Sequence, residues 1–538
     1  MHVDIITSRY KDQVYSGALL RETYRDNGKV RHRTLANLSA LPMHIVQMIK
    51  RSLKGEAFVS ANEALRVVRS RSHGAVWSVW QVMRSLGVPE LLGGRKEPWQ
   101  DRALGMILSR VIRAASKRFT AAWWEGTSLP EWLEGAADVS VQTLYKAMDA
   151  LLRRQPAIEK MLAQRHLRKG SLVLYDVTSS YVEGRRCPLA QFGYNRDRKR
   201  GTKQIVLGLL TNHQGCPVAV EVFSGRTSDS KTLPAQLEKL KMRFGIEEVL
   251  LAGDCGMITK LHRQALNEHG YAWITALKAP EVRNLRQRGL LQLSLFDEHD
   301  LAEIIDPENP SRRLVLCRNF KVGVERRRKR EDLLQATEME LAKIRTSVAE
   351  GRLKDETKIA LKVGKVIGKF KVGKHFVLTI EPGRFEFRRD EAAIAAEAAL
   401  DGIYVVETNV GADRLAAEEA VSSYKSLRHV ERAFRAMKTM HLELRPIFHR
   451  LADRVRAHAL LCMLAYYVQW HMEQALAPLR ERQPDAYQSF RHVLDRLSEL
   501  QLNTVRVRDQ DVTFDQVTEP DEHQRLFLDH LGVRSLAP

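Results

Sequence analysis

The sequence predicts an α/β fold built on a mixed, five-stranded sheet flanked by helices. Apolar runs at 172–175, 204–210 and 217–223 follow one another with no predicted helix between them. Two further runs, at 248–252 and 271–277, alternate with helical segments. Three strands in succession, followed by strands that alternate with helices, indicate a mixed sheet in a layered α/β domain.

Composition indicates a large protein with an anionic partner. The chain has 538 residues, of which 86 are Lys or Arg and 65 are Asp or Glu, so its net charge is +21. This excess favours nucleic acid as the partner. The five cysteines form no C-x-x-C pair, which argues against a zinc finger and fits a reducing compartment. Because the N-terminus lacks a signal segment and the most apolar run, 457–470, is too short to span a membrane, we expect a soluble cytoplasmic protein.

Local patterns divide the chain into six predicted segments. Asp26-Asn27-Gly28 is a hairpin turn signal, and apolar residues between 61 and 165 recur at the helical spacing of three and four. Six of the eight tryptophans lie in that helical stretch, where they either fill a core or belong to a DNA-binding module. The segments are an N-terminal β-hairpin element (1–60), a helical region that would bind DNA (61–170), the first half of the core (171–279), an α+β insertion subdomain (280–400), the second half of the core (401–480) and a C-terminal tail (481–538).

Two aspartates follow apolar strands of the predicted sheet. Asp176 ends the first strand and Asp254 follows the fourth. Either one alone would be read as an ordinary turn or capping residue. Ligand sites of open α/β sheets gather at the carboxyl ends of strands, so adjacent central strands would bring the pair together. Carboxylate oxygens are the ligands that hard divalent cations prefer.

A third carboxylate is predicted on an amphipathic helix over 414–440. Glu431 lies at the edge of its apolar stripe, which includes Val430 and Phe434. Tyr424 and Lys438 are each seven residues away from Glu431, close to two helical turns, so the three share one face. A solvated face of charged pairs is the alternative, but it does not explain Tyr424 and Lys438 in this register.

These blocks resemble bacterial insertion-sequence transposases of the DDE type, and among them the large group with a Y-x-x-R-x-x-x-E-x-x-x-x-x-x-K helix. The matching blocks are LYDVTSSY (174–181), LAGDCGM (251–257) and YKSLRHVERAFRAMK (424–438). Tyr, Glu and Lys of the helix match in register. The arginine does not, since the pattern asks for it at Leu427 and this chain has Arg428 one place on.

The resemblance implies a ribonuclease-H-like core interrupted by an insertion, with Asp176, Asp254 and Glu431 holding two Mg²⁺ ions, for which Mn²⁺ could substitute. It implies that the enzyme binds the terminal inverted repeats of an insertion sequence, cuts them and joins the 3′-hydroxyl ends to target DNA. Its partners would be double-stranded DNA and a second copy in a homodimer, at the bacterial nucleoid. Tyr424 and Lys438 would contact the DNA end.

Basic residues near these blocks are predicted to grip DNA. One cluster follows the first strand, and the catalytic helix adds arginines beside the face of Tyr424, Glu431 and Lys438. Each phosphate contact would make binding more sensitive to salt. A solvated loop is the alternative for each cluster. The predicted contacts are Arg198, Lys199, Arg200 and Lys203 in the loop and Arg428 and Arg435 on the helix, with 326–330 as a second patch.

Two other functions are compatible with such a core. One is a structure-selective nuclease or resolvase, which the long insertion and the Tyr-Glu-Lys helix disfavour. The other is a domesticated DNA-binding regulator without activity, which the complete carboxylate set disfavours.

Overall fold

The computed structural model describes residues 1–10, 13–56, 58, 65–137, 139–197, 199, 201–291, 300–308, 312–507 and 512–537. The chain forms two units, one made of 1–73 with 500–519 and the other of 74–499 with 520–538. No helix in these described ranges is both long enough and apolar enough to cross a membrane.

The first unit contains two antiparallel sheets. Its elements are β1 (His2–Tyr10), β2 (Gln13–Asp26), β3 (Lys29–Asn37), α1 (Met43–Ser52), β4 (Leu65–Ser72) and two C-terminal strands, Gln501–Val507 and Thr513–Val517. β1, β2 and β3 form one sheet, and α1 packs on it through Val46. The predicted turn joins β2 to β3, with Asn27 and Gly28 both at positive φ. β4 pairs with Gln501–Val507 in the second sheet.

Three segment predictions at the chain ends were therefore wrong. The N-terminal element is a three-stranded sheet with a helix rather than a hairpin alone. The 61–170 region is not wholly helical, because it begins with β4. The 481–538 segment is no simple tail, since two of its strands pair with each other and with β4. The pairing of β4 with Gln501–Val507 joins residues more than 400 positions apart, and local patterns carry no information about it.

Helices precede the core sheet in the second unit. They are α2 (Gly74–Ser85), α3 (Val88–Leu91), α4 (Pro98–Ile112), α5 (Lys117–Glu125) and α6 (Val141–His166). Trp124 is buried and its indole N–H donates to Ser109 Oγ at 2.6 Å. The rings of Trp77 and Trp80 both contact the ring of Trp132. These four tryptophans thus pack within the helical region, in agreement with the interpretation that they fill a core.

The core sheet has eight strands rather than the predicted five. Its elements are β5 (Leu172–Tyr181), β6 (Gln204–Asn212), β7 (Pro217–Ser224), α7 (Leu233–Glu238), β8 (Leu250–Ala252), α8 (Lys260–Glu268), β9 (Ala272–Ala276), α9 (Ala279–Gln287), β10 (Leu301–Ile305) and β11 (Arg313–Arg318), with β14 (Ile403–Thr408) returning later in the chain. The strand order is β10-β11-β14-β9-β8-β5-β6-β7. β5, β6 and β7 are antiparallel neighbours, while β8 runs parallel to both β5 and β9. The five strands β9-β8-β5-β6-β7, in this order, have the arrangement of a ribonuclease-H-like sheet.

The three additional strands explain the difference. β14 pairs antiparallel with β9, and the hairpin β10–β11 pairs with β14. Leu314 and Leu316 of β11 are buried in one cluster with Ile403 and Val405 of β14. The start of the predicted 280–400 insertion therefore belongs to the core sheet.

The rest of the insertion has its own hydrophobic core. It comprises α10 (Phe320–Ala349), α11 (Glu356–Phe370), β12 (Phe376–Glu381), β13 (Arg384–Arg389) and α12 (Glu391–Ala398). Leu334 and Leu341 of α10 pack with Ile359 of α11 and Phe376 of β12. Arg389 forms ion pairs with two glutamates of α10.

The helical layer after β14 is divided. Its helices are α13 (Ala417–Lys425), α14 (Leu427–Arg435), a π-helical turn (Ala436–Met440), α15 (Ala452–Ala475), α16 (Ala477–Arg482), α17 (Phe490–Ser498) and α18 (Glu522–His530). The continuous helix predicted over 414–440 is thus interrupted at Ser426 and ends in a wider turn. Ser426 Oγ donates to the carbonyl of Ser422, a local bond that competes with regular helix geometry.

Candidate active site

Asp176 lies on β5, and Asp254 lies two residues after the end of the neighbouring strand β8. β5 and β8 are parallel, and their last paired positions are Leu174 and Ala252. Each aspartate lies two residues beyond the paired position of its strand, so the register carries both to the same height.

Glu431 completes the group from α14. Val430 and Phe434 are buried and hold α14 against the sheet. A cleft of about 390 Å³ is lined by all three carboxylates, Asp176, Asp254 and Glu431. The sequence had predicted this grouping, and the structure places the three residues in one cleft.

Electrostatics make the cleft suited to a cation. Burial raises the pKa of Asp176 to about 7, and the neighbouring carboxylates of Asp254 and Glu431 also raise it, against a hydrogen bond from the Val177 N–H. Among the described residues, none of the three carboxylates forms an ion pair. The donor atoms are all oxygens, as divalent hard cations prefer. The residues present therefore fit a divalent metal.

Tyr424 and Tyr404 line the same cleft. Their ring centroids are 6.5 Å apart. Burial, followed by the nearby carboxylates, raises the pKa of the Tyr424 phenol, so it stays protonated and can donate a hydrogen bond. Tyr404, on β14, was not predicted as a site residue. It ends the sequence DGIY (401–404), which precedes the catalytic helix.

Two further cleft residues were also missed. Lys425 is exposed at the cleft, next to Tyr424. Asn319 lines the cleft as well and caps α10, with its side chain accepting a hydrogen bond from the Val322 N–H at 3.2 Å. Lys425 lay within the recognised helix block, but Asn319 precedes the insertion helix and only the fold brings it here.

Lys438 is placed differently from the prediction. The π-helical turn directs it inward, and it is only 8% exposed. Its ammonium donates to Thr178 Oγ1 at 3.0 Å and to Asp197 Oδ1 at 2.7 Å. Arg445 forms a second ion pair with Asp197 at 2.7 Å. Lys438 is therefore engaged within the protein, and its predicted contact with the DNA end stays a prediction.

The predicted basic residues have different surroundings in the structure. Arg428 is exposed and lines it, and Arg435 is exposed on the same helix. Lys199 is held by Glu183 at 2.5 Å and lies over the Tyr181 ring, while Lys203 is exposed. The remaining two predicted contacts, Arg198 and Arg200, lie outside the described residues.

The loop after β5, which carries Lys199 and Lys203, is anchored beside the carboxylates. The Arg196 N–H donates to Ser179 Oγ at 2.9 Å, and the Arg196 guanidinium pairs with Asp229. Arg196 also lowers the pKa of Asp176. The loop after β5 therefore approaches the cleft.

Comparisons with known proteins agree with the predicted class of protein. The profile of the transposase DDE domain matches residues 167–468, more than half of the chain, and that of the IS1634 family transposase N-terminal domain matches residues 3–64. A search of curated protein sequences finds no significant match.

Two solved structures show distant likeness. One is piggyBac transposase in a synaptic complex with hairpin DNA, at 9% identity and a TM-score of 0.37, covering 78% of this chain and 75% of that one. The other is Mos1 transposase in a paired-end complex with the left transposon end, at 15% identity and a TM-score of 0.15, covering 36% and 62%.

The ribonuclease-H-like sheet and its three carboxylates define a DDE-type enzyme. The chain belongs to the transposase DDE domain family. Its N-terminal match is to an insertion-sequence transposase domain, so the predicted class, an insertion-sequence DDE transposase, is confirmed. Membership of the group with the Y-R-E-K helix stays a prediction, since Leu427 occupies the arginine position. The family implies use of a divalent metal.

Proposed function

We propose that this transposase cuts the ends of an insertion sequence and joins the resulting 3′-hydroxyls to target DNA in the cleft of Asp176, Asp254 and Glu431. The observation that supports this most is the shared register of β5 and β8, which sets two carboxylates level beside the third. Both reactions are in-line substitutions at phosphorus, so one site can serve both.

The metal is proposed to be a pair of Mg²⁺ ions, with Mn²⁺ able to substitute. When bound, the pair would supply activation of the attacking oxygen and stabilisation of the leaving oxygen. Asp176, half-buried, would form the inner side of the metal site. Asp254 and Glu431 are exposed and leave the cleft open to water, to DNA and to a 3′-hydroxyl.

The DNA end would be held by side chains around the cleft. Tyr424 would donate its protonated hydroxyl, and Arg428 and Lys425 would face backbone phosphates. Arg435 and Lys203 are proposed as more distant contacts. Lys438 is proposed instead to position the loop after β5 through Asp197.

Pairing of two ends would require at least two protomers, and we propose a homodimer acting on double-stranded DNA at the nucleoid. For this chain, the mass of the complex with end DNA, measured by light scattering, should correspond to two protomers.

A direct test uses purified protein, Mg²⁺ and a duplex carrying the terminal inverted repeat that flanks the gene. We expect strand cleavage followed by joining to a target plasmid. Asp176→Asn should abolish both steps and leave DNA binding intact, and Glu418→Gln, on the exposed face of α13, should behave as wild type. Full activity of Asp176→Asn would refute the site. If the wild type binds ends and never cuts them, the regulator hypothesis is favoured.

A further inference from the structure

A basic pocket lies in the second unit apart from the carboxylate cleft. Its volume is about 700 Å³, and it lies between the start of α5 and the segment that follows the catalytic helix. The charged groups that line it are mostly positive: Arg110, Lys117, Arg445, Arg450 and Arg454, with Glu443 as the single carboxylate among the described lining residues.

Two of these cations are buried without a carboxylate partner. Lys117 is 6% exposed, and its ammonium forms no hydrogen bond or ion pair with any described residue. Arg110 is 5% exposed and donates to backbone carbonyls, those of Leu442 and Ala115, each at 3.2 Å. A buried charge without a counter-charge is costly, so the pocket is electrostatically incomplete as it stands.

The backbone adds to this positive field. Lys117 is the first residue of α5, a helix of nine residues whose N-cap is Ser116. Helix N-termini carry partial positive charge and free N–H groups, which favour an anion. Burial, followed by the charge of Arg110, lowers the pKa of Lys117 to about 7, so an anion in the pocket would restore its full charge.

The other cations are partly neutralised or open to solvent. Arg454 lies 3.6 Å from Asp149 and over the ring of Tyr145, and Arg445 is paired with Asp197. Arg450 is exposed at the rim. The net excess of charge therefore comes from the two buried groups and from the rim.

We propose that this pocket binds a phosphate group of the DNA backbone, at a distance from the reacting phosphate. The proposal rests on the proposed function, since it takes DNA as the substrate. A tetrahedral oxyanion would accept from Lys117, from Arg450 and from the start of α5. Neither a metal cation nor an apolar ligand would suit this set of positively charged donors.

The pocket lies further along β5 from the cleft. Ile447 bridges to Val182, the residue after β5, and the Glu183 N–H donates to Ile447 at 2.9 Å. Val182 is six residues beyond Asp176, a span of about 20 Å in an extended strand.

The first test measures DNA affinity against salt concentration with the full-length protein, a short duplex of arbitrary sequence and EDTA. Removal of one phosphate contact should lower the slope of log K against log salt by about 0.9. We expect Lys117→Met to show this change with roughly tenfold weaker binding, and Arg450→Ala, at an exposed position, to show a similar one. The matched control is Lys160→Met, which removes the same charge from an exposed site on α6.

The second test separates a phosphate contact from a structural role. Inorganic phosphate should raise the melting temperature of the wild type and of Lys160→Met, but not of Lys117→Met. Equal responses of all three, or equal salt slopes of the two methionine variants, would overturn the proposal. A selective response to inorganic phosphate with an unchanged duplex slope would also overturn it, because the pocket would then take a free anion and not DNA.

Failure of this proposal and failure of the proposed function are distinguishable. Asp176→Asn tests the chemistry and should keep the wild-type salt slope. If Asp176→Asn remains active while Lys117→Met loses affinity for DNA, the proposed active site is refuted and the proposed phosphate pocket is supported. If Asp176→Asn is inactive while Lys117→Met keeps its affinity for DNA, only the proposed phosphate pocket is refuted.

Discussion

The carboxylate cleft and the basic pocket belong to the same unit and are incomplete in opposite ways. In the cleft, three carboxylates converge, and none has an ion-pair partner among the described residues. In the pocket, two buried cations converge, and neither forms an ion pair with a carboxylate of the described residues. Each arrangement costs stability in the free protein and becomes favourable when a counter-charge arrives. A divalent metal would complete the first, and a DNA phosphate would complete the second.

Two buried lysines show the same contrast within one charge type. Lys438 has Asp197 as its partner at 2.7 Å and serves the protein's own structure. Lys117 has no such partner in the described chain. A buried charge with a fixed partner points to stability, and one without a partner points to an external ligand. Substitutions can test each side of this comparison.

The largest effect is expected in the cleft. Asp254→Cys should reduce cleavage in Mg²⁺ at least about a thousandfold, roughly 4 kcal/mol in the activation free energy, because a thiolate is a poor ligand for a hard ion. Mn²⁺ should restore part of the rate, since it accepts softer ligands. Single-turnover cleavage rates in both metals measure this. Equal losses in the two metals would argue against Asp254 as a metal ligand.

The next effect concerns the paired lysine. Lys438→Met should lower the free energy of unfolding by about 2 kcal/mol, because Asp197 keeps Arg445 but loses one of its two cations. Urea denaturation measures it. Lys425→Met, at an exposed position, is the control and should change stability by less than about 0.5 kcal/mol. Wild-type stability in Lys438→Met would remove the distinction between the two buried lysines.

The unpartnered lysine should behave in the opposite direction. Lys117→Met is expected to raise the free energy of unfolding of the DNA-free protein by about 1 kcal/mol, since an uncompensated buried charge is replaced by an apolar side chain of similar length. The same urea experiment without DNA tests it. A destabilised Lys117→Met would show that the ammonium supports the fold.

The smallest effect is expected at the position where the family pattern has arginine. Leu427 lines the cleft and is half-buried. Leu427→Arg should strengthen binding of end DNA severalfold and steepen its salt dependence, because it adds one charge facing the phosphates. Leu427→Met is the neutral control. If Leu427→Arg leaves affinity unchanged, Arg428 already performs this role or no arginine is needed here.

Much of the site was predictable because its information is local. Asp176 and Asp254 each follow a short apolar run, and equal spacing along two parallel strands sets them level. The apolar stripe around Val430 placed Glu431 on the face toward the sheet. Strand pattern, helix periodicity and motif order each depend on neighbours within a few residues, so a single sequence carries them.

The tertiary structure decided what depends on distant residues. The hairpin β10–β11 extends the core sheet by pairing with β14. β4 pairs with a strand more than 400 residues away. The π-helical turn directs Lys438 inward, where its ammonium donates hydrogen bonds to Asp197 and Thr178.

The sequence by itself determined the class of fold, the family and the three carboxylates, since short-range patterning specifies each of them. Only the tertiary structure decided which basic residues are available to DNA, because burial and pairing are properties of the packed chain. Lys438 and Lys117 are equivalent as letters in the sequence. Packing gives the first a carboxylate partner and leaves the second facing a pocket.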